Sequence, residues 1–356
     1  MTNISSLYQD YRDRILSAAA TGRPLAIHGG GSKNFYGRTV EGEIMDTRPC
    51  TGIISYEPSE LVLTAHAGTS LAEIENVLAA QGQMLAFEPP AFTEAATLGG
   101  VVACGLSGPR RPYDGSVRDY VLGVKCITGR GEVVKFGGQV MKNVAGYDVS
   151  RLMTGAMGTL GLLLEISIKV QPVPECEVGF SAGMDFNAAL QAMNVWAGKA
   201  LSLSAACYDG KRLRVRLSGK ESAVTAAGRK LELADMDDIP GYWQRLREQQ
   251  LPFFKASDRE LWRLSVPATT PALALSGDWL VDWGGAQRWL QTVEAAETIR
   301  HITQQAGGHA TLFRGGDRCG EIFHPLAPGV QELHVRLKQA FDPARILNRG
   351  RLYRDQ

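Results

Sequence analysis

Two unlike parts, together of the α+β class, are expected of this chain on three grounds. Of its 40 glycines, 14 fall between Thr97 and Gly161, among segments with strand-like alternation, so glycine there serves backbone shape and not a linker or fibre. All six tryptophans lie between Trp196 and Trp289. Between these regions Pro172 and Pro174 interrupt any strand or helix. The length of 356 residues suits two domains of roughly 100–200 residues each.

An N-terminal helix is expected through residue 19, from Leu7, Tyr11, Ile15 and Leu16 at helical spacing. The first domain then spans residues 20–174. Residues 25–27 form a short strand entering a triple-glycine loop, and residues 61–66 form another. Ser70 with Glu73 is a capping box opening a helix to about residue 81. Residues 120–127 and 132–136 pair as a hairpin about Gly129-Arg130-Gly131. Residues 160–170 alternate, with Leu162, Leu164, Ile166, Ile168 and Val170 on one face. The second domain, residues 175–340, alternates helices with an antiparallel sheet. Its expected elements are a helix at 186–198, a strand at 201–208, a turn at Asp209-Gly210 and a strand at 211–217. A helical stretch at 221–233, a strand at 279–283, a helix over 288–305 and a strand at 309–314 follow. Residues 341–356 form a return segment.

Composition narrows the function classes. A formal net charge of +1 argues against a nucleic-acid or anionic-membrane binder. No stretch approaches the ~18 apolar residues of a membrane span. The N-terminus has neither a basic nor an apolar leader region, so no secretory signal is expected. Six cysteines form no CxxC pair and no metal-ligand cluster, which points to free thiols in the cytoplasm and to no metal site.

Glycine placement points to a ligand. His28-Gly29-Gly30-Gly31-Ser32-Lys33 follows a short strand, and successive glycines can turn several N–H groups toward one point. Such a nest suits a pyrophosphate, and a plain turn between strands would look the same. Thr97-Leu98-Gly99-Gly100 runs into Val101-Val102-Ala103-Cys104-Gly105, small residues that permit close approach to a flat ligand. A third cluster runs from Lys142 to Asp148 and on through Gly155, Gly158, Thr159 and Gly161. Three such loops in order imply a long ligand lying across one domain.

Gly29–Ser32, Glu88-Pro89-Pro90, Thr97–Gly100, Arg118–Gly123 and Asn143–Gly161 resemble, in order and spacing, the FAD-binding domain of the vanillyl-alcohol oxidase/p-cresol methylhydroxylase family. The resemblance covers about residues 20–175. The tail from Phe341 through Asn348 to Arg351 is similar to the ending of its glycolate- and D-lactate-oxidising branch, with Arg349 in place of the usual proline. The resemblance implies a p-cresol methylhydroxylase-type (PCMH-type) FAD domain followed by a ferredoxin-like cap, with the tail returning to the FAD domain. It implies that Gly29, Gly30, Gly31 and Ser32 hold the pyrophosphate. Pro89, Thr97, Leu98, Gly99, Gly100, Cys104 and Gly105 would line the flavin and its ribityl chain, and Gly158, Thr159, Gly161 and Ile166 would receive the ADP end. Relatives that attach FAD covalently often use a histidine just after the glycine loop. Ser32 and Lys33 stand there, so a noncovalent FAD is expected.

Hydroxy-acid oxidation at a flavin needs a cationic clamp for the carboxylate and a base for the hydroxyl proton. The histidine-rich cap segment of the catalytic relatives is absent, and residues 307–317 hold a single histidine, His309. Arg110, Arg111, Arg314 and His324 are the remaining candidates, each also readable as a packing or surface residue, and the catalytic base is unassigned. The resemblance therefore implies an FAD-dependent oxidoreductase subunit of a glycolate-oxidising assembly. It would serve electron transfer or assembly beside a larger catalytic FAD subunit and an iron–sulfur subunit, in the cytoplasm or peripheral at the inner membrane. A self-sufficient FAD-dependent 2-hydroxy-acid (D-lactate or glycolate) dehydrogenase and a flavin-free structural subunit are the alternatives.

Overall fold

The computed structural model of the chain describes residues 4–139, 147–231, 233–255 and 259–354. A helix at Ile4–Thr21 buries Tyr11, Ile15 and Ala18 and leads into a parallel pair, β1 (Leu25–His28) and β2 (Glu43–Asp46). Then come β3 (Ile53–Glu57), β4 (Val62–His66), β5 (Gln83–Met84), β6 (Val121–Ile127), β7 (Val133–Gly137), β8 (Leu162–Lys169) and β9 (Gln171–Pro172). β3, β4, β8, β6 and β7 form one antiparallel sheet in that order, while β5 pairs with β9. The Ser70 hydroxyl accepts the Glu73 N–H at 3.1 Å and starts the helix Leu71–Ala79, as the capping pattern predicts. Leu71, Ile74 and Leu78 of that helix pack with Leu63, Ile166 and Ile168 of the sheet. β8 is central and covered on both sides, so Leu163 is buried along with the alternating set.

The second part is one antiparallel sheet of eight strands. β10 (Cys176–Gly183), β11 (Leu203–Tyr208), β12 (Arg212–Gly219) and β13 (Ala234–Asp235) alternate with helices Phe186–Ala197 and Glu221–Gly228. Their spatial order, β13-β10-β12-β11, is the ferredoxin-like split βαββαβ arrangement. Helices Ile239–Arg247 and Pro252–Lys255 then lead to β14 (Glu260–Ser265), β15 (Asp278–Asp282), β16 (Gln287–Thr292), a helix at Ala296–Gln305 and β17 (His309–Arg314). The order β15-β16-β14-β17 repeats the same pattern, with an irregular link in place of the first helix. The expected ferredoxin-like layer is thus present twice, the two copies meeting edge to edge at Tyr208↔Val281.

One expectation is corrected. Residues 288–305 are not a single helix: Gln287–Thr292 is a strand between β15 and β14, and the helix begins only at Ala296. All six residues of that strand are buried, and a central position needs side chains that pack on both faces. The helix Pro328–Phe341 was not expected from the sequence. It buries only Lys338, so its apolar stripe is weak. Beyond it the tail does return to the first part: Leu25 N–H donates to Ile346 O at 2.7 Å and Asn348 N–H to Leu25 O at 3.0 Å.

Candidate functional site

The end of β1 delivers the chain into a cleft lined by His28, Gly29, Gly30, Gly31, Ser32, Lys33, Thr97, Gly99, Gly100, Cys104, Gly158, Gly161, Asn348 and Arg351, among others. Gly30 is there because nothing larger fits: a Cβ would stand 1.4 Å from the Ala95 carbonyl oxygen. Of the three loop glycines only Gly31 takes a positive φ, +71°. The loop's demand is therefore close backbone approach more than left-handed turning. Thr97 caps the helix Leu98–Cys104, its hydroxyl accepting the Gly100 N–H at 3.2 Å.

The tail closes the opposite wall. The Asn348 side chain accepts the Ile27 N–H at 2.7 Å and donates to Met157 O at 2.7 Å, tying the return segment to β1. Arg351, also on the lining, spends its guanidinium on carbonyl oxygens of Arg38, Lys33, Asn34 and Tyr36. Lys33 is 6% exposed, with its ammonium 3.2 Å from Ser32 Oγ and 3.4 Å from Ala91 O. Neither cation has a carboxylate at ion-pair distance among the described residues. Burial pulls both below their ordinary pKa. A buried and a partly buried cation, neither neutralised, beside a loop of free backbone fit a ligand that brings negative charge, such as a diphosphate-bearing cofactor.

The other candidates sit elsewhere. Leu98 and Ile166 are fully buried in the core, and Pro89 is buried before Pro90. Thr159 turns its hydroxyl to Ala156 O, and Gly105 caps the helix against Gly155. None of these five lines the cleft. The segment Lys142–Gly146 of the third cluster lies outside the described residues.

Arg110, Arg111, Arg314 and His324 do not line the cleft either. Arg110 is ion-paired to Glu177 at 2.7 Å, Glu88 at 3.4 Å and Asp114 at 3.5 Å, while Arg216 reaches Glu88 at 2.8 Å. This lattice joins the two parts of the chain. Arg111 stacks on Trp283 at 4.2 Å and Arg314 on Phe35 at 3.9 Å. His324 Nδ1 faces the Ala310 N–H at 3.4 Å. Lys33 and Arg351 are the residues that the sequence reading passed over. The cue was present, since both sit inside the quoted loop and tail motifs.

Beside the Arg110 lattice, burial pushes the Asp282 carboxyl up to about 7, with the Glu88 charge adding and the Trp283 N–H and Gln287 amide opposing. A folded-state pKa above the ordinary ~3.9 means that the folded chain holds an extra proton between about pH 4 and pH 7. The penalty for ionising Asp282 is absent below pH 4, grows through that window and is complete above pH 7. The shift sets a ceiling of ~4 kcal/mol. In Asp282→Asn the amide's own desolvation is the same at every pH and cancels from a comparison between two pH values. The stability of the variant relative to the parent should therefore rise by up to ~4 kcal/mol from pH 4 to pH 8. Urea unfolding at the two pH values checks this, and a difference independent of pH contradicts it.

Known proteins can now be set beside this geometry. The FAD binding domain family model matches residues 8–137. The chain is 47% identical over 342 residues to glycolate oxidase subunit GlcE of Escherichia coli (strain K12), covering 96% of each. It is 29% identical over 170 residues to glycolate oxidase subunit GlcD of Bacillus subtilis (strain 168), covering 47% of this chain and 36% of that one. It is 30% identical over 151 residues to a D-lactate dehydrogenase of Archaeoglobus fulgidus, covering 42% and 33%. The chain thus spans about a third of these last two. Among solved structures, alkyldihydroxyacetonephosphate synthase superposes with a TM-score of 0.68 at 15% identity, covering 96% of this chain and 75% of that one, a likeness of fold. Among the described residues no helix is long and apolar enough to cross a membrane.

Proposed function

The chain belongs to the family of glycolate oxidase subunit GlcE, and we propose that it is the smaller FAD-holding subunit of an assembly that oxidises glycolate to glyoxylate. The pairing of the Gly29–Gly31 loop with the buried Lys33 and the partly buried Arg351 is the observation that carries this reading. On this reading residues 20–174 carry the cofactor, residues 175–340 form the cap and residues 341–356 close the cleft. When bound, FAD supplies reversible electron transfer. The chain supplies a fixed backbone cradle through Gly29–Ser32, charge through Lys33 and Arg351, and closure through Asn348.

Substrate oxidation is assigned to a larger FAD subunit related to GlcD, with an iron–sulfur subunit completing the assembly in the cytoplasm or at the inner face of the membrane. Packing supports that division. Tyr36, Leu106, Met157, Trp289 and Phe313 are all buried in one cluster, filling the space between the cleft and the eight-stranded sheet. A small hydroxy acid would need that space. The FAD is read as noncovalent.

The test is a flavin spectrum of the purified chain. Flavin absorbance is expected, with the flavin released to the supernatant on acid denaturation and unbleached when glycolate is added without air. Protein without flavin under FAD-saturating conditions overturns the reading. Bleaching by glycolate moves the oxidation to this chain, and flavin that stays with the precipitate overturns the noncovalent assignment.

A further inference from the structure

The seam between the two ferredoxin-like copies opens a second cavity, apart from the glycine-lined cleft. Inside each copy neighbouring strands pair over long stretches, eight residues for β10 with β12 and six for β14 with β16. Across the seam β11 and β15 share the single pair Tyr208↔Val281. Past Tyr208 the first copy turns back at Asp209-Gly210, beside Trp279 of β15. A cavity of about 1010 Å³ lies at this seam, the size of a small-molecule site.

Its walls are aromatic and its charge is unbalanced. Phe186, Tyr208, Tyr242 and Trp279 line it. The two lining carboxylates are already neutralised, Asp209 by Arg214 and Asp278 by Arg259. Arg245, also on the wall, is paired with Asp238 at 2.8 Å. Lys211 and Arg288 remain. Lys211 is exposed at the rim and enters no ion pair among the described residues. Arg288 is 1% exposed, and its partners are the carbonyl oxygens of Gly285 at 3.2 Å, Pro271 at 2.7 Å and Thr270. Three bonds use three of the five guanidinium N–H groups. Burial lowers its pKa to about 10, and no acidic group offsets that burial. A desolvated guanidinium on a cavity wall without a counter-ion is costly, and an anion placed there returns much of the cost through charge-assisted hydrogen bonds.

We propose that this seam cavity binds an organic anion with a planar aromatic or bulky apolar body, its acid group met by Lys211 at the rim, its body by the aromatic walls, and the unpaired charge of Arg288 in the wall adding to the attraction. The site uses none of the residues of the cofactor cleft, and its test stands whether or not the chain holds FAD.

The probe is 8-anilinonaphthalene-1-sulfonate, titrated by fluorescence into the full chain in saturating FAD, with the uncharged N-phenyl-1-naphthylamine as comparison. One saturable site is expected, with the uncharged dye at least about tenfold weaker. Lys211→Glu, a rim change, should weaken the sulfonate about tenfold, ~1.4 kcal/mol, and leave flavin content unaltered. Arg288→Met should weaken it further. If that variant does not fold, Lys211→Glu and the dye comparison decide alone. The absence of saturable binding, equal affinity for the two dyes, or an unchanged affinity in Lys211→Glu overturns the proposal.

Discussion

Gly30→Val should yield a folded chain that retains almost no flavin. A Cβ at this position would lie 1.4 Å from the Ala95 carbonyl oxygen and 2.4 Å from its carbon, well inside van der Waals contact. Both obstructing atoms are backbone, so no rotamer change relieves the clash, and either the loop or the turn at Ala95 must move. The loop ends in Ser32 and Lys33, so its displacement carries the buried ammonium with it. We expect FAD affinity to fall at least about a hundredfold, ~2.7 kcal/mol, with a smaller loss for Gly30→Ala. Gly329→Ala is the control, because a Cβ there meets nothing within 4 Å. Flavin-to-protein absorbance ratios and FAD titration of the stripped chain measure the effect, and far-UV circular dichroism separates it from unfolding. Full flavin occupancy in Gly30→Val would show that the loop does not cradle the cofactor.

The glycine loop also marks how far sequence carried the reading. That residues 29–31 had to be small was legible locally, yet the reason, a carbonyl 65 positions further along, was not. The capping box at Ser70 and the alternating strand at Leu162–Lys169 were legible because their signals lie within one element. The strand Gln287–Thr292 was not, because burial on both faces erases the period-2 pattern and leaves Trp289 and Leu290 compatible with a helix. The doubling of the ferredoxin-like unit was hidden by the missing first helix of the second copy. Lys33 and Arg351 come from opposite ends of the chain. Their common feature, a cation on the cleft wall without a carboxylate partner, exists only after the tail has docked.

That docking rests on a buried ion pair, and Asp342→Ala should remove it at high cost. Lys338 Nζ lies 2.8 Å from Asp342 Oδ2, with the side chains 3% and 0% exposed. The ammonium also donates to Thr159 O and Leu347 O, and the carboxylate accepts the N–H groups of Ile346 and Leu347. The pair therefore fixes the turn that presents Asn348 and Arg351 to the cleft. Removing the carboxylate strands an ammonium whose pKa burial already depresses, together with two backbone donors. Breaking such a pair costs about 3–5 kcal/mol, a fall in Tm of roughly 4–7 °C for a chain of this size. The double variant Asp342→Ala/Lys338→Met should lose clearly less than the two single losses added, because no uncompensated ammonium remains. Flavin affinity should fall in Asp342→Ala and be partly restored in the double variant, since the tail's grip on Asn348 depends on this turn. Thermal unfolding and FAD titration of the three variants check both expectations. A single variant as stable as the parent would mean that the backbone bonds to Leu25, the Asn348 side chain and the hydrophobic contacts of Ile346 and Leu347 hold the tail without it.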